Sequence, residues 1–148
     1  MMPSQFITML LSAIIVITFT ACTASSQSAV QSAAPTTDSA YDQARYERGV
    51  EVYLMNACGT CHELAAAGSR GMFAPMHSHI ATVAEQRLND SQYRGQATTV
   101  EAYIRESILQ PDVFIVAEYE GSPHQMHSFA DLPPEDIDAL VYMLLQQR

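Results

Sequence analysis

Lysine is absent from these 148 residues: all seven basic side chains are arginine, set against 16 carboxylates for a formal net charge of −9. Nucleic-acid phosphates demand clustered positive charge, so this composition excludes a nucleic-acid role and directs expectation toward basic or neutral partner surfaces. Cysteine is scarce, with only Cys22, Cys58 and Cys61. A hydrophobic run of bilayer length is also missing. The apolar stretch Phe6–Phe19 is broken by Thr8, Ser12 and Thr18 and falls short of the ~20 residues a spanning helix needs. No internal repeat and no βαβ pattern is present.

What residues 1–22 do have is an uncharged, apolar leader. It fits the hydrophobic region of a secretory signal, although without the usual basic residue near the start. Its end, Phe19-Thr20-Ala21-Cys22, resembles a bacterial lipoprotein cleavage box, with Phe19 where leucine is usual. The expectation is a lipoprotein-type signal peptide over 1–21 and an acylated Cys22. Alternatives are a plain Cys22 behind a simple signal peptide, or an uncleaved anchor. Each reading exports the chain, and acylation would hold it on the outer (periplasmic) face of the cell membrane, at ~0.8 kcal/mol per buried methylene. Residues 22–40 carry Ser, Ala, Thr and Gln without hydrophobic period, a flexible linker with a root-mean-square span of about 20–25 Å. Residues 41–148 remain for one small domain.

That domain centres on Cys58-Gly59-Thr60-Cys61-His62. Two cysteines two residues apart with histidine following at once is the attachment signal for a c-type haem. Two thiols one turn apart can each add to a vinyl group, and the adjacent histidine then supplies the proximal imidazole. Gly59 and Thr60 are small enough to let the porphyrin edge approach the backbone. CxxC alone also serves as a redox disulfide or half a zinc site. A zinc site needs four ligands, however, and Cys22 lies far upstream.

Helices are expected on both sides of this motif. Asp38 or Ser39 can cap the first, with Tyr46, Gly49, Val50 and Tyr53 on its apolar face. Gly49 costs about 1 kcal/mol of helix propensity, which a close helix crossing would justify. Glu63–Met76 reads as a loop, His79–Leu88 as a short helix, and Asn89–Ala97 as a loop. Thr98-Thr99-Val100-Glu101 reads as a capping box opening a helix to Leu109, stopped before Pro111. Its core face is Tyr103, Ile104 and Ile108 or Leu109. After a long loop, Pro134, Glu135 and Asp136 open the last helix, with Ile137, Leu140, Val141 and Leu144 as its buried stripe.

From about Ala40 onward the chain resembles a monohaem class I cytochrome c of the bacterial type. The resemblance rests on the glycine-bearing first helix leading into CxxCH, on Tyr103-Ile104-Arg105-Glu106-Ser107-Ile108 with a proline beyond it, on a methionine-bearing loop, and on the final Asp138-Ala139-Leu140-Val141-Tyr142-Met143-Leu144. It implies an all-α fold of about three main helices around one covalent haem c. It further implies that Met126 is the sixth ligand beside His62, and that the Pro75 carbonyl accepts a hydrogen bond from the proximal histidine. His127 stands where the family usually has proline, and His124 and His127 flank Met126 as competing ligands. Met143 stands where the last helix often has an aromatic. His77 and His79 are expected at the surface or facing the haem propionates.

The function so implied is electron transfer rather than enzymatic catalysis. The expected setting is a membrane-anchored subunit of a respiratory or photosynthetic complex, such as a quinol-oxidising alternative complex III or an oxidase. The missing lysines disfavour a lysine-rimmed docking face and favour a fixed partner. Two other readings stay open at this level: a haem enzyme or gas sensor with an open iron site, and a haem-free disulfide or zinc module.

Overall fold

The computed structural model describes residues 41–148. The signal peptide over 1–21, Cys22, the linker 22–40 and the capping residues Asp38 and Ser39 lie outside the described residues. Four α-helices carry the fold: α1 (Gln43–Met55), α2 (Ile80–Arg87), α3 (Val100–Leu109) and α4 (Pro134–Leu145). Between α1 and α2 sits a two-stranded antiparallel hairpin, β1 (Glu63–Leu64) with β2 (Ser69–Arg70), in register Glu63 to Arg70 and Leu64 to Ser69. No helix among the described residues is long and apolar enough to cross a membrane.

Each helix starts on a specific chemical signal. The cap of α1 is Asp42, whose carboxylate accepts from the Arg45 N–H at 3.0 Å; Asp38 and Ser39 are thus too early. Helix α3 is capped by Thr99, which accepts from the Ala102 N–H at 3.1 Å. That is one residue later than a Thr98–Glu101 capping box would require, and Glu101 instead lies beside Arg105 on the helix surface. Helix α4 opens on Pro134 with Glu135 and Asp136 in its first turn, which suits the positive end of the helix dipole.

The main helix contact is the crossing of α1 with α4, and α3 packs on α4 beside it. Gly49 makes that crossing possible: a Cβ there would lie 2.4 Å from the Ala139 carbonyl oxygen and 2.5 Å from the Met143 Cβ. Met143 is fully buried and fills the space against α1. Tyr142 turns outward instead, accepting from the Asp42 N–H at 2.6 Å with Arg45 over its ring. Arg48 then bridges α1 to the buried Asp136, with Nη2 to Oδ1 at 2.7 Å. Val52, Tyr53, Leu64, Val141 and Met143 form the fully enclosed centre of the core, each contributing about 1.5–3 kcal/mol by leaving water. Tyr103, Ile104 and Ile108 are the buried face of α3, as its pattern requires, and Leu109 is only partly covered.

Glu63–Met76 is not a plain loop. Ala65–Ala67 form a 3-10 turn, Gly68 takes φ 64° after it, and the chain folds back as the hairpin. Beyond Pro111 the chain is irregular up to α4, apart from one 3-10 turn at Ala117–Tyr119. It returns to the end of α3, where the Phe129 N–H donates to the Ile108 carbonyl at 3.2 Å and the Ser128 hydroxyl to the Leu109 carbonyl at 2.6 Å. These bonds use carbonyls that a helix end leaves unpartnered, and they pin Met126 near the end of α3.

Candidate haem site

The site is built from the end of α1 outward. Asn56 closes the helix, its side chain donating to the Val52 carbonyl at 2.8 Å. Ala57 then adopts the left-handed conformation at φ 54°, and a single 3-10 turn, Cys58–Thr60, follows. The N–H groups of Cys61 and His62 both donate to the Cys58 carbonyl, at 3.2 and 3.0 Å. This compact turn brings Cys58, Cys61 and His62 to one cavity wall.

The next segment is laced to the motif's backbone. Phe73 and Ala74 donate their N–H groups to the Cys61 carbonyl, both at 3.1 Å, and His77 donates to the Glu63 carbonyl at 2.7 Å. Tyr53 and Ser69 hydroxyls donate to the His62 carbonyl at 3.2 and 2.9 Å. Gly71 permits this approach, since a Cβ there would stand 2.4 Å from the Cys61 carbonyl carbon. As a result the Pro75 carbonyl sits 2.7 Å from His62 Nδ1. An acceptor there makes Nδ1 the protonated nitrogen and leaves the Nε2 lone pair free for a metal.

His62 borders two adjoining cavities, of about 280 and 350 Å³. They share Ala74, His77, Ile108, His124, Gln125, Met126 and Leu144 as walls, so they form one slot between α3, α4 and the loop before α4. The first is also lined by Pro75, Arg87, Tyr103 and Ile104, and the second by Cys58, Cys61 and Leu140. The slot thus brings together Cys58, Cys61, His62, Pro75 and Met126. Met126 is 37% exposed, and His124 and His127 beside it are exposed too. The ring of His124 packs on Phe73 and that of His127 on Phe129.

Burial sets the electrostatics. The His62 imidazole is held below its usual pKa by desolvation, partly offset by the Pro75 bond, with the Arg87 charge adding to the depression. That direction favours the neutral form, which is the one a metal ligand requires. Burial also pushes the Cys58 thiol up to about 11. Redox CxxC cysteines have lowered pKa values, so this shift runs against a thioredoxin-like use. Cys58 and Cys61 are not joined to each other by a disulfide. Among the described residues no group of three His, Cys, Asp or Glu is placed to hold a metal. An apolar slot bordered by two cysteine side chains, an imidazole and a thioether fits a covalently attached haem.

His77 departs from expectation: it is half-buried, and its ring stacks on His62 with centroids 3.9 Å apart and planes 13° apart. Its Nδ1 is buried without a hydrogen-bond partner, a state costing about 1–3 kcal/mol. A histidine between Met76 and Ser78 carries no sequence signal for this. His79 is exposed at the start of α2, in keeping with the surface position expected of it. Gly59 lies against the hairpin, since a Cβ there would meet the Ser69 Cβ at 2.6 Å. Tyr53 and Gly71, which hold the motif's backbone in place, were not marked by sequence pattern as site residues.

No curated protein and no solved structure is a significant match to this chain. The family profile described as Cytochrome c does match, over residues 46–147, a span running from α1 through the slot to the end of α4. The chain belongs to the cytochrome c family, all-α proteins that carry covalently attached haem c and transfer electrons.

Proposed function

We propose that this cytochrome c is a monohaem class I electron carrier with His62 and Met126 as axial ligands, held at a membrane by an acylated Cys22. The observation that carries the ligand set is the slot itself, which Cys58, Cys61, His62 and Met126 all border. The bound haem supplies a one-electron iron couple. Cys58 and Cys61 tether it to the polypeptide. The Pro75 carbonyl, at 2.7 Å from His62 Nδ1, fixes the tautomer of the imidazole and raises its basicity. Met126 contributes a soft thioether, which favours the ferrous state and raises the potential. Ile108, Leu140 and Leu144 exclude water from the slot, so little rearrangement accompanies electron transfer.

The uncharged leader, the cysteine at its end and the linker support a tethered domain on the outer face of the cell membrane. With no lysine and a net charge of −9, a fixed partner is favoured, such as a quinol-oxidising alternative complex III or an oxidase. Cys22→Ser should release a soluble domain; continued membrane association would contradict acylation as the anchor. A second reading, an enzyme or sensor with an open iron site, requires that Met126 does not bind the iron. The spectrum of the oxidised protein separates the two. A methionine-to-iron charge-transfer band that disappears in Met126→Ala, with a lowered potential, supports the carrier. A high-spin spectrum responsive to cyanide refutes it.

A further inference from the structure

His77 is half-buried, with its Nδ1 enclosed and unpartnered, and the ligand set above does not use it. It borders both halves of the slot, and its ring lies nearly parallel to that of His62 at 3.9 Å. The stack is held from behind. Tyr53 presents its ring edge-on to His77, with centroids 5.8 Å apart, and Tyr53 is itself fully buried. The His77 backbone is fixed by its N–H bond to the Glu63 carbonyl at 2.7 Å, and the Ser78 hydroxyl beside it donates to the Glu63 carboxylate at 2.9 Å. An aliphatic side chain would fill this place without leaving a nitrogen unpartnered. A flat ring gives what an aliphatic one cannot: a plane that fixes the rotation of its neighbour, and a polarisable face.

We propose that His77 is a positioning residue for the proximal imidazole, fixing the ring plane of His62 by stacking and lowering the reduction potential. The inference rests on His62 being the iron ligand. Pro75 restrains one atom of the His62 ring, which leaves the ring free to tilt about that hydrogen bond. The His77 face removes this remaining freedom. Coordination to a cationic metal draws electron density from the His62 ring, and more so in the ferric state. The neutral face stacked on it therefore stabilises the oxidised form more than the reduced form.

The test compares haem-loaded wild-type protein with His77→Leu and His77→Phe by redox titration and by electron paramagnetic resonance of the ferric state, whose g-values report the orientation of the axial ring. The expected result is a raised potential and displaced g-values in His77→Leu, with g-values near wild type in His77→Phe, where a flat ring is kept. Unchanged potential and g-values in His77→Leu would overturn the proposal. So would equal displacement in both variants. If His77→Leu takes up no haem, His77→Phe decides alone: wild-type g-values support stacking and displaced ones overturn it. A low-spin wild type with unmoved variants refutes this inference alone, whereas a wild type lacking any low-spin signal refutes the ligation by His62 and Met126 as well.

Discussion

Replacing Gly71 by alanine tests how the haem motif is positioned. The new Cβ would stand 2.4 Å from the Cys61 carbonyl carbon, 2.6 Å from the His62 nitrogen and 2.7 Å from the Cys61 oxygen, all backbone atoms. No side-chain rotation relieves this contact. Restoring an ordinary separation of 3.4 Å requires a retreat of about 1 Å. The bonds from Phe73 and Ala74 to the Cys61 carbonyl, now 3.1 Å, would then pass beyond hydrogen-bonding range. Two lost bonds at about 1 kcal/mol each, with about 1–3 kcal/mol of overpacking, give a destabilisation of roughly 3–5 kcal/mol. At about 4 °C per kcal/mol for a domain of this size, the melting temperature should fall by about 12–20 °C. Two other glycines calibrate the measurement. Gly68 has open space but a φ of 64°, so Gly68→Ala should cost about 1–2 kcal/mol. Gly121 has open space and no such constraint, so Gly121→Ala should be neutral to within about 0.5 kcal/mol. Thermal unfolding of the three holo variants should rank them in that order. Gly71→Ala melting within a degree or two of Gly121→Ala would refute the lacing of this segment to the motif.

Other expectations concern the core, the thiols and pH. Met143→Ala should cost about 2–5 kcal/mol in urea unfolding, as a fully buried methionine, yet leave the methionine charge-transfer band intact. In protein made without haem, Cys58 should alkylate at pH 8 about a hundredfold more slowly than a free cysteine, because its pKa stands at about 11 rather than 9.0. Tyr93, partly buried and bonded to Glu106, has its phenol raised to about 12 from 10.0, chiefly by burial. A raised acid favours folding below its unfolded pKa and loses that contribution as pH rises from 10 through 12. Stability should therefore fall between pH 10 and 12, and less steeply in Tyr93→Phe; parallel slopes for the two proteins would contradict this.

The parts legible in the sequence were those fixed by local chemistry. CxxCH located the site, the 3.6-residue pattern located α3 and α4, and Gly49 marked the α1–α4 crossing because a helical glycine on an apolar face needs a neighbour to explain it. Helix starts were harder. Asp42 and Thr99 each lie within a few residues of other good caps, and tertiary packing decides between neighbours of equal propensity. The hairpin at Glu63–Arg70 escaped notice since two-residue strands carry no alternation. Its stability comes from bonds to the motif's own backbone. His77 was illegible for a related reason: nothing local distinguishes an exposed histidine from one stacked on a ligand residue fifteen positions earlier in the sequence.

The central claim is that this slot holds a haem joined to the chain through Cys58 and Cys61. Intact-mass analysis of the denatured mature protein, followed by peptide mapping, tests it most directly. The account predicts a mass increased by one haem, retained on the peptide that contains both cysteines. A haem-free chain lighter by two hydrogens, with those sulfurs joined to each other, would contradict it.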